Sequence, residues 1–276
     1  ETAQSQNVFK LKNDDQTARR LRATILRMIH AGKSGHPGGS LSCLDILMSL
    51  FADVLKYDPK IPEWQDRDRF ILSKGHGVPA LYAVLAECGY FPTEWLMSLR
   101  QLGSPLQGHP DRARIFAVEA ATGSLGQGLS IAQGMALAGK LDKKSYRVFC
   151  MIGDGETQEG QIWEAAMSAA KFGLDNLTVI TDYNHGQIDG KTEEVMSLDP
   201  LVDKWKAFNW NVLECDGHKR DELRKTLPMR HSDKPTLVIA HTVKGKGVSF
   251  MEGVIDWHGV APTDDELKRA LKELES

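Results

Sequence analysis

Two patterns of apolar residues recur along this chain: short unbroken runs, and longer stretches in which apolar residues return at helical spacing. The runs Arg69–Leu72, Val148–Ile152, Leu177–Ile180, Asn211–Cys215 and Thr236–Ala240 read as strands. Asn13-Asp14-Asp15 supplies an N-cap and first-turn acids for a helix through about Ile29. Further helices are predicted over Leu41–Leu55, from about Pro79 to Cys88, and from a glycine-rich segment to Leu141. The last are Glu159–Phe172, Leu201–Phe208, Asp221–Leu227 and Thr263–Leu274. Strands that alternate with helices in this way predict an α/β fold. No repeat, low-complexity tract or linker interrupts the pattern, so residues 1–276 are read as one domain.

The stretch Arg147–Gly190 organises the rest. Its first strand breaks at Gly153-Asp154-Gly155, a helix with Ile162, Ala165, Ala166 and Ala169 on one face follows, and a second strand ends at Asp182-Tyr183-Asn184. This is a βαβ unit with parallel strands and a right-handed crossover. Loops after both strands emerge at one sheet edge, where α/β proteins bind ligands. Asp154 and Asn184 are therefore expected to meet there. A carboxylate and an amide oxygen suit Mg²⁺ or Ca²⁺ better than zinc. Backbone N–H groups around Gly155 and the next helix start favour an anion, so the pair reads as a diphosphate site. Taken alone, GDG is equally well a plain turn; the partner Asn184 and the closing Ile188-Asp189-Gly190 argue for more.

Other loops add imidazoles. Ser34–Ser40 (SGHPGGS) is read as a deformable Gly/Pro loop preceding its helix, and Ser73-Lys74-Gly75-His76-Gly77 follows a strand. His36, His76, His109, His185 and His258 each stand directly before Gly or Pro, which places them in loops. Gathered at one sheet edge beside an anion site, such histidines suit hydrogen bonding and proton transfer to a polyhydroxylated, phosphorylated substrate. His30, His218 and His231 lie on surface-like stretches and receive no role. Arg19, Arg20, Arg22 and Arg27 are read as a solvated or partner-facing helix surface. Lys244 and Lys246, in a glycine-flanked segment after a strand, are candidate phosphate contacts.

GDGETQEGQIWEAA, followed roughly thirty residues after GDG by the Asn of DYNHGQIDG, resembles the diphosphate-binding motif of thiamine diphosphate enzymes, and of transketolase in particular. SGHPGGSLS, SKGHGVPALYA, PLQGHP, ATGSLGQGLS, HTVKGKG and WHGVAP also resemble transketolase segments, in transketolase order. The resemblance implies a thiamine diphosphate-binding fold, a mostly parallel central sheet with helices on both faces. It implies Mg²⁺ (Ca²⁺ or Mn²⁺ as substitutes) held by Asp154, Asn184 and the Gly186 carbonyl. Gly123, Gly155, Glu156, His76, Lys244 and His258 would bind the cofactor, with Leu125 and Ile188 against its rings. His36, His76, His109 and His258, along the sugar channel, and Glu159 would serve catalysis. Glu159, and Glu164 beside it, would lie at a subunit interface. One departure is Gly186 itself, where most relatives carry an aliphatic residue.

Whole transketolases continue into a pyrimidine-binding domain and a C-terminal domain. The resemblance therefore implies the N-terminal subunit of a split transketolase, with those domains on a C-terminal partner subunit in an α₂β₂ heterotetramer. The implied activity, in the pentose phosphate branch of carbohydrate metabolism, moves a two-carbon ketol unit from a ketose phosphate to an aldose phosphate. Two alternatives stay open: the α-subunit of a 2-oxo acid dehydrogenase, and a non-catalytic subunit that kept the fold. Deoxyxylulose-phosphate synthase fits less well after GDG. Composition narrows partners rather than fold. A net charge of −3 and a pI near 6.3 argue against a nucleic-acid groove or polybasic membrane surface. The scattered Cys43, Cys88, Cys150 and Cys215 lack zinc spacing and read as core thiols of a reducing compartment. The polar N-terminus lacks an apolar signal core, so the expected location is cytoplasmic.

Overall fold

The computed structural model describes residues 11–275; the N-terminal stretch read as lacking a targeting signal lies largely outside them. In chain order the elements are α1 (Asp15–Ala31), α2 (Pro37–Ser49), β1 (Arg69–Leu72), α3 (Val78–Glu87), α4 (Gln127–Leu141) and β2 (Val148–Gly153). There follow α5 (Gly160–Lys171), β3 (Leu177–Tyr183), the short β4 (Gly186–Gln187) and β5 (Gly190–Lys191), α6 (Thr192–Met196), α7 (Leu201–Ala207), β6 (Asn211–Asp216), α8 (Arg220–Thr226), β7 (Thr236–His241) and α9 (Asp264–Leu274). β1-β2-β3-β7-β6 form one sheet whose pairings are all parallel; β4 and β5 make a small antiparallel ribbon.

Alternation along each strand divides the core. Phe70, Leu72, Phe149, Met151, Ile180 and Val238 face α1, α2 and α3, while Ile71, Cys150, Ile152, Val179 and Ile239 face α4, α5 and Trp205 of α7. Each strand is thus apolar on both sides, which is why it reads as a run rather than an alternation. The helices on both faces and the parallel sheet agree with the expected architecture.

Three sequence expectations need correction. The segment Ser34–Ser40 is not all loop: α2 starts at Pro37, whose fixed φ and missing N–H suit the first helical turn. α2 also ends sooner than expected, passing at Leu50 into a π-helical stretch to Val54. Arg22 is not on a solvated face. It is buried beside Leu21 and Ile25 because Asp45 of α2 pairs with it at 2.5 Å.

Candidate active site

The carboxyl ends of β1, β2, β3 and β7 open onto a cavity of about 320 Å³. Its lining includes His36, Lys74, His76, His109, Gly123, Leu125, Asp154, Gly155, Glu156, Glu159, Asn184, Gly186, Ile188, Lys244 and His258. Every candidate named from the sequence therefore reaches one cavity, apart from Glu164, Lys246 and His185. Glu164 is exposed on α5, and Lys246 turns outward to Glu252 at 3.2 Å. His185 packs against Tyr183 instead, ring centroids 4.5 Å apart and planes tilted by 52°.

The loop tips after β2 and β3 meet: the His185 N–H donates to Asp154 Oδ2 at 2.5 Å. Asp154 Oδ1 accepts from the Gly155 N–H, so that amide serves the turn itself. Nor does a helix open directly after GDG. A 3₁₀ turn, Gly155–Gln158, comes first, and Glu159 stands at the N-cap of α5 without a side-chain cap bond. Asn184 is oriented through its Nδ2, which donates to Asp182 Oδ2 and Ser42 Oγ, while its Oδ1 accepts from the Gly186 N–H.

Beneath this lies a pair that sequence reasoning did not single out. Lys74 Nζ and Asp182 Oδ2 are 2.5 Å apart and fully buried. Asp182 also accepts from the Ser42 and Thr242 hydroxyls, and Lys74 donates to the Gly39 carbonyl. Burial pulls Lys74 down, but the Asp182 charge and hydrogen bond, with Cys43 and Asp154 adding to them, together overcome it and leave Lys74 raised. Asp182 is correspondingly lowered: burial pushes it up, and Lys74 with the hydrogen bonds overcomes that push. The signal was available, since both residues sit at the carboxyl end of an apolar strand, where ligand-edge groups collect.

Glu156 is likewise internal. Its carboxylate accepts from Ser73 Oγ and from the N–H groups of Gly126 and Gly153, and burial keeps it above the usual carboxylate range. It braces three loops around the cavity.

Asp154 is 2 % exposed, and burial followed by the Asp182 charge lifts it to about 6. A buried carboxylate facing an amide oxygen and a backbone carbonyl is a hard-oxygen cradle short of positive charge, which is what Mg²⁺ or Ca²⁺ supplies. A cation beside it is Lys244, whose Nζ donates to the Gly186 carbonyl at 3.1 Å and meets His258 Nδ1 at 3.1 Å. Burial, then the charge of Lys74, lowers Lys244 to about 8. The residues present thus fit a divalent ion beside an anionic ligand.

Across from the cradle the histidines cluster. His36 lies 5.2 Å from His76, 6.3 Å from His109 and 5.6 Å from His258, measured between ring centroids. Burial drives His36 to about 4 and His258 to about 3, with Arg100 adding to the first and Lys244 to the second. His76 falls well below its usual value through burial, and His109 falls for the same reason with help from Arg100. All four are neutral near pH 7, each offering one donor and one acceptor. Arg100, also missed in the sequence, ties two of their loops together by donating to Ser34 Oγ and the Gly108 carbonyl. Leu125 (36 % exposed) and Ile188 (70 %) present apolar surface at the mouth.

His218 also needs correction. It is not on a surface-like stretch but largely buried, 2.8 Å from Asp45. No helix among the described residues is long and apolar enough to cross a membrane.

Residues 13–275 match the family described as transketolase, thiamine diphosphate binding domain. The chain is 49 % identical to a 6-deoxy-6-sulfo-D-fructose transketolase subunit of Clostridium sp. (strain MSTE9), covering 87 % of this chain and 88 % of that one. It is 44 % identical to an apulose-4-phosphate transketolase subunit of Phocaeicola vulgatus, over 92 % and 90 %. Human transketolase is 40 % identical over 97 % of this chain, which spans only 43 % of that protein. Among solved structures, transketolase from Campylobacter jejuni superposes with a TM-score of 0.88 at 34 % identity, over 95 % of this chain and 42 % of that one. Transketolase from Leishmania mexicana does so with 0.88 at 31 %, over 95 % and 41 %. With its fold and its sequence pointing the same way, the chain belongs to the transketolase family and carries that family's thiamine diphosphate-binding domain.

Proposed function

We propose that this chain is the N-terminal subunit of a split transketolase, moving a two-carbon ketol unit from a ketose to an aldose. The observation that carries the reading is one cavity floored by Asp154 and Asn184 and walled by four neutral imidazoles. Asp154, Asn184 and the Gly186 carbonyl would hold Mg²⁺, with Ca²⁺ or Mn²⁺ able to replace it. Lys244, His76, His258, Gly123 and Gly155 would surround the diphosphate, and Leu125 and Ile188 the rings.

Bound there, thiamine diphosphate supplies the carbon nucleophile and electron sink for breaking a ketose C2–C3 bond. The chain's own share is placement and proton handling. Neutral His36, His109 and His258 can donate to one sugar oxygen and accept from another without carrying charge into the channel. Where these rings are buried, their hydrogen bonds act in a lower dielectric than water. Glu159, exposed at the cavity rim, would face a neighbouring subunit.

Residues 1–276 are taken as one domain of an α₂β₂ assembly, with the pyrimidine-binding and C-terminal domains on the partner. The names of the first two relatives support the split arrangement, since each is called a subunit. Both names also specify sugars bearing an anionic substituent, which supports a sugar phosphate or comparable anion as substrate. All four cysteines are buried free thiols, in keeping with a reducing, cytoplasmic setting.

The test is to combine the chain with its C-terminal partner, thiamine diphosphate and Mg²⁺, and to compare donors. Ketol transfer from a ketose phosphate or hydroxypyruvate, with none from pyruvate alone, is expected. Turnover of pyruvate alone would assign the chain to the 2-oxo acid dehydrogenases instead.

A further inference from the structure

Lys244 enters the cavity from the loop after β7, and that loop is held from behind. The Val243 N–H donates to Nε2 of His218 at 2.9 Å, and the Lys246 carbonyl accepts from Nε of Arg22 at 2.9 Å. Both side chains then converge on one oxygen. His218 Nδ1 lies 2.8 Å, and an Arg22 guanidinium nitrogen 2.5 Å, from Asp45 Oδ2. Since Nε2 receives a backbone N–H, the His218 proton sits on Nδ1 and is donated to Asp45. Arg220 stands 3.6 Å from the other Asp45 oxygen. None of these four residues lines the cavity.

From the front, Lys244 is clasped by backbone. A Cβ on Gly38 or on Gly186 would come within 2.9 Å of its side-chain carbons, and the Gly245 N–H donates to the Gly38 carbonyl at 3.0 Å. A lysine chain has much rotamer freedom to lose on burial. Its ammonium can be held at one place only if the backbone on both sides is fixed.

We infer that Asp45 is a positioning residue for cofactor binding: through His218 and Arg22 it fixes the peptide groups flanking Lys244 and so sets that ammonium against the cradle. The inference rests on the reading that Lys244 serves the cofactor's diphosphate. It goes beyond ordinary burial of an ion pair because both intermediaries spend their remaining hydrogen bonds on this one loop.

The test uses the chain assembled with its C-terminal partner in Mg²⁺, in two measurements. Hydrogen–deuterium exchange compares the segment 241–253 with α4 on the opposite face of the sheet. Calorimetric titration gives the affinity for thiamine diphosphate. Asp45→Asn is expected to speed exchange in 241–253, leave α4 unchanged, and weaken affinity about tenfold, the lower end of what outer-shell partners give. His218→Gln, which can still accept from the Val243 N–H, retains more affinity than His218→Asn, which keeps only the donor toward Asp45. In a Lys244→Met background, Asp45→Asn causes no further loss of affinity. Unchanged exchange in Asp45→Asn, or an affinity loss that persists in full without Lys244, overturns the inference. Should Asp45→Asn fail to fold, the two His218 variants decide it by the same readouts. If the wild-type chain together with its partner binds no thiamine diphosphate, the functional reading fails, and the strut is decided by exchange alone.

Discussion

Lys74 and Asp182 meet at 2.5 Å with neither reaching solvent, joining the carboxyl ends of β1 and β3 across the strand between them. Removing one partner leaves the other charge buried and uncompensated. Lys74→Met is expected to destabilise the chain by about 3–5 kcal/mol in urea denaturation, with Asp182→Asn in the same chain recovering part of the loss. A single substitution that costs nothing would show that the pair is not the brace described.

The cradle predicts a separation of binding from folding. Asp154→Ala and Asn184→Ala are expected to weaken thiamine diphosphate binding in Mg²⁺ by about a hundredfold or more, since outer-shell changes alone give 10–100-fold. Far-UV circular dichroism and melting should stay close to wild type. Calorimetry that finds tight binding to either variant removes these residues from the metal site.

The histidine wall predicts a kinetic effect. With the partner subunit present, His109→Ala and His258→Ala are each expected to lower ketol transfer about 10²–10⁴-fold, the usual worth of positioned proton transfer. Wild-type rates in the double variant would end the assignment.

Acid stability carries the imprint of the same residues. His36 has an ordinary pKa of 6.5 and a folded value of about 4. The unfolded chain therefore takes up the proton first. The stability tied to neutral His36 is complete above about 6.5 and is lost as pH falls toward 4. Asp154, raised to about 6, acts in the opposite sense, so the readout is a difference between proteins. The urea midpoint should drop less between pH 7.5 and pH 5 in His36→Gln than in wild type. Parallel curves would mean that His36 titrates alike in both states.

Gly186 has become a packing choice. A Cβ there would stand 2.8 Å from Ile255 Cδ1 and 2.9 Å from a Lys244 side-chain carbon. Restoring an aliphatic residue with Gly186→Ile should overpack this corner, costing about 1–3 kcal/mol and displacing Lys244. Thermal melting and cofactor titration check the two effects separately.

Much of this was legible in the chain. All five long strands announce themselves because both sheet faces are covered, and the spacing of Asp154 and Asn184 across a crossover placed both at one edge. What escaped were charged residues inside apolar surroundings. Arg22, Asp45, Lys74 and Asp182 look like surface residues until a partner distant in sequence is supplied, and pairing is a property of the fold. Arg22 did leave a trace, lying between Leu21 and Ile25 on the buried stripe of α1. The start of α2 was missed because GHPGGS reads as loop chemistry, although its Pro37 is the residue a first helical turn accepts.

His36 and His258 come from near opposite ends of the chain, yet their rings lie 5.6 Å apart. The complete wall is therefore a non-local object: loops drawn from distant parts of the sequence must converge before all four rings stand together. A chain grown only as far as α8 holds Asp154, Asn184 and three of the rings, whereas Lys244 and His258 arrive only with β7 and the segment after it.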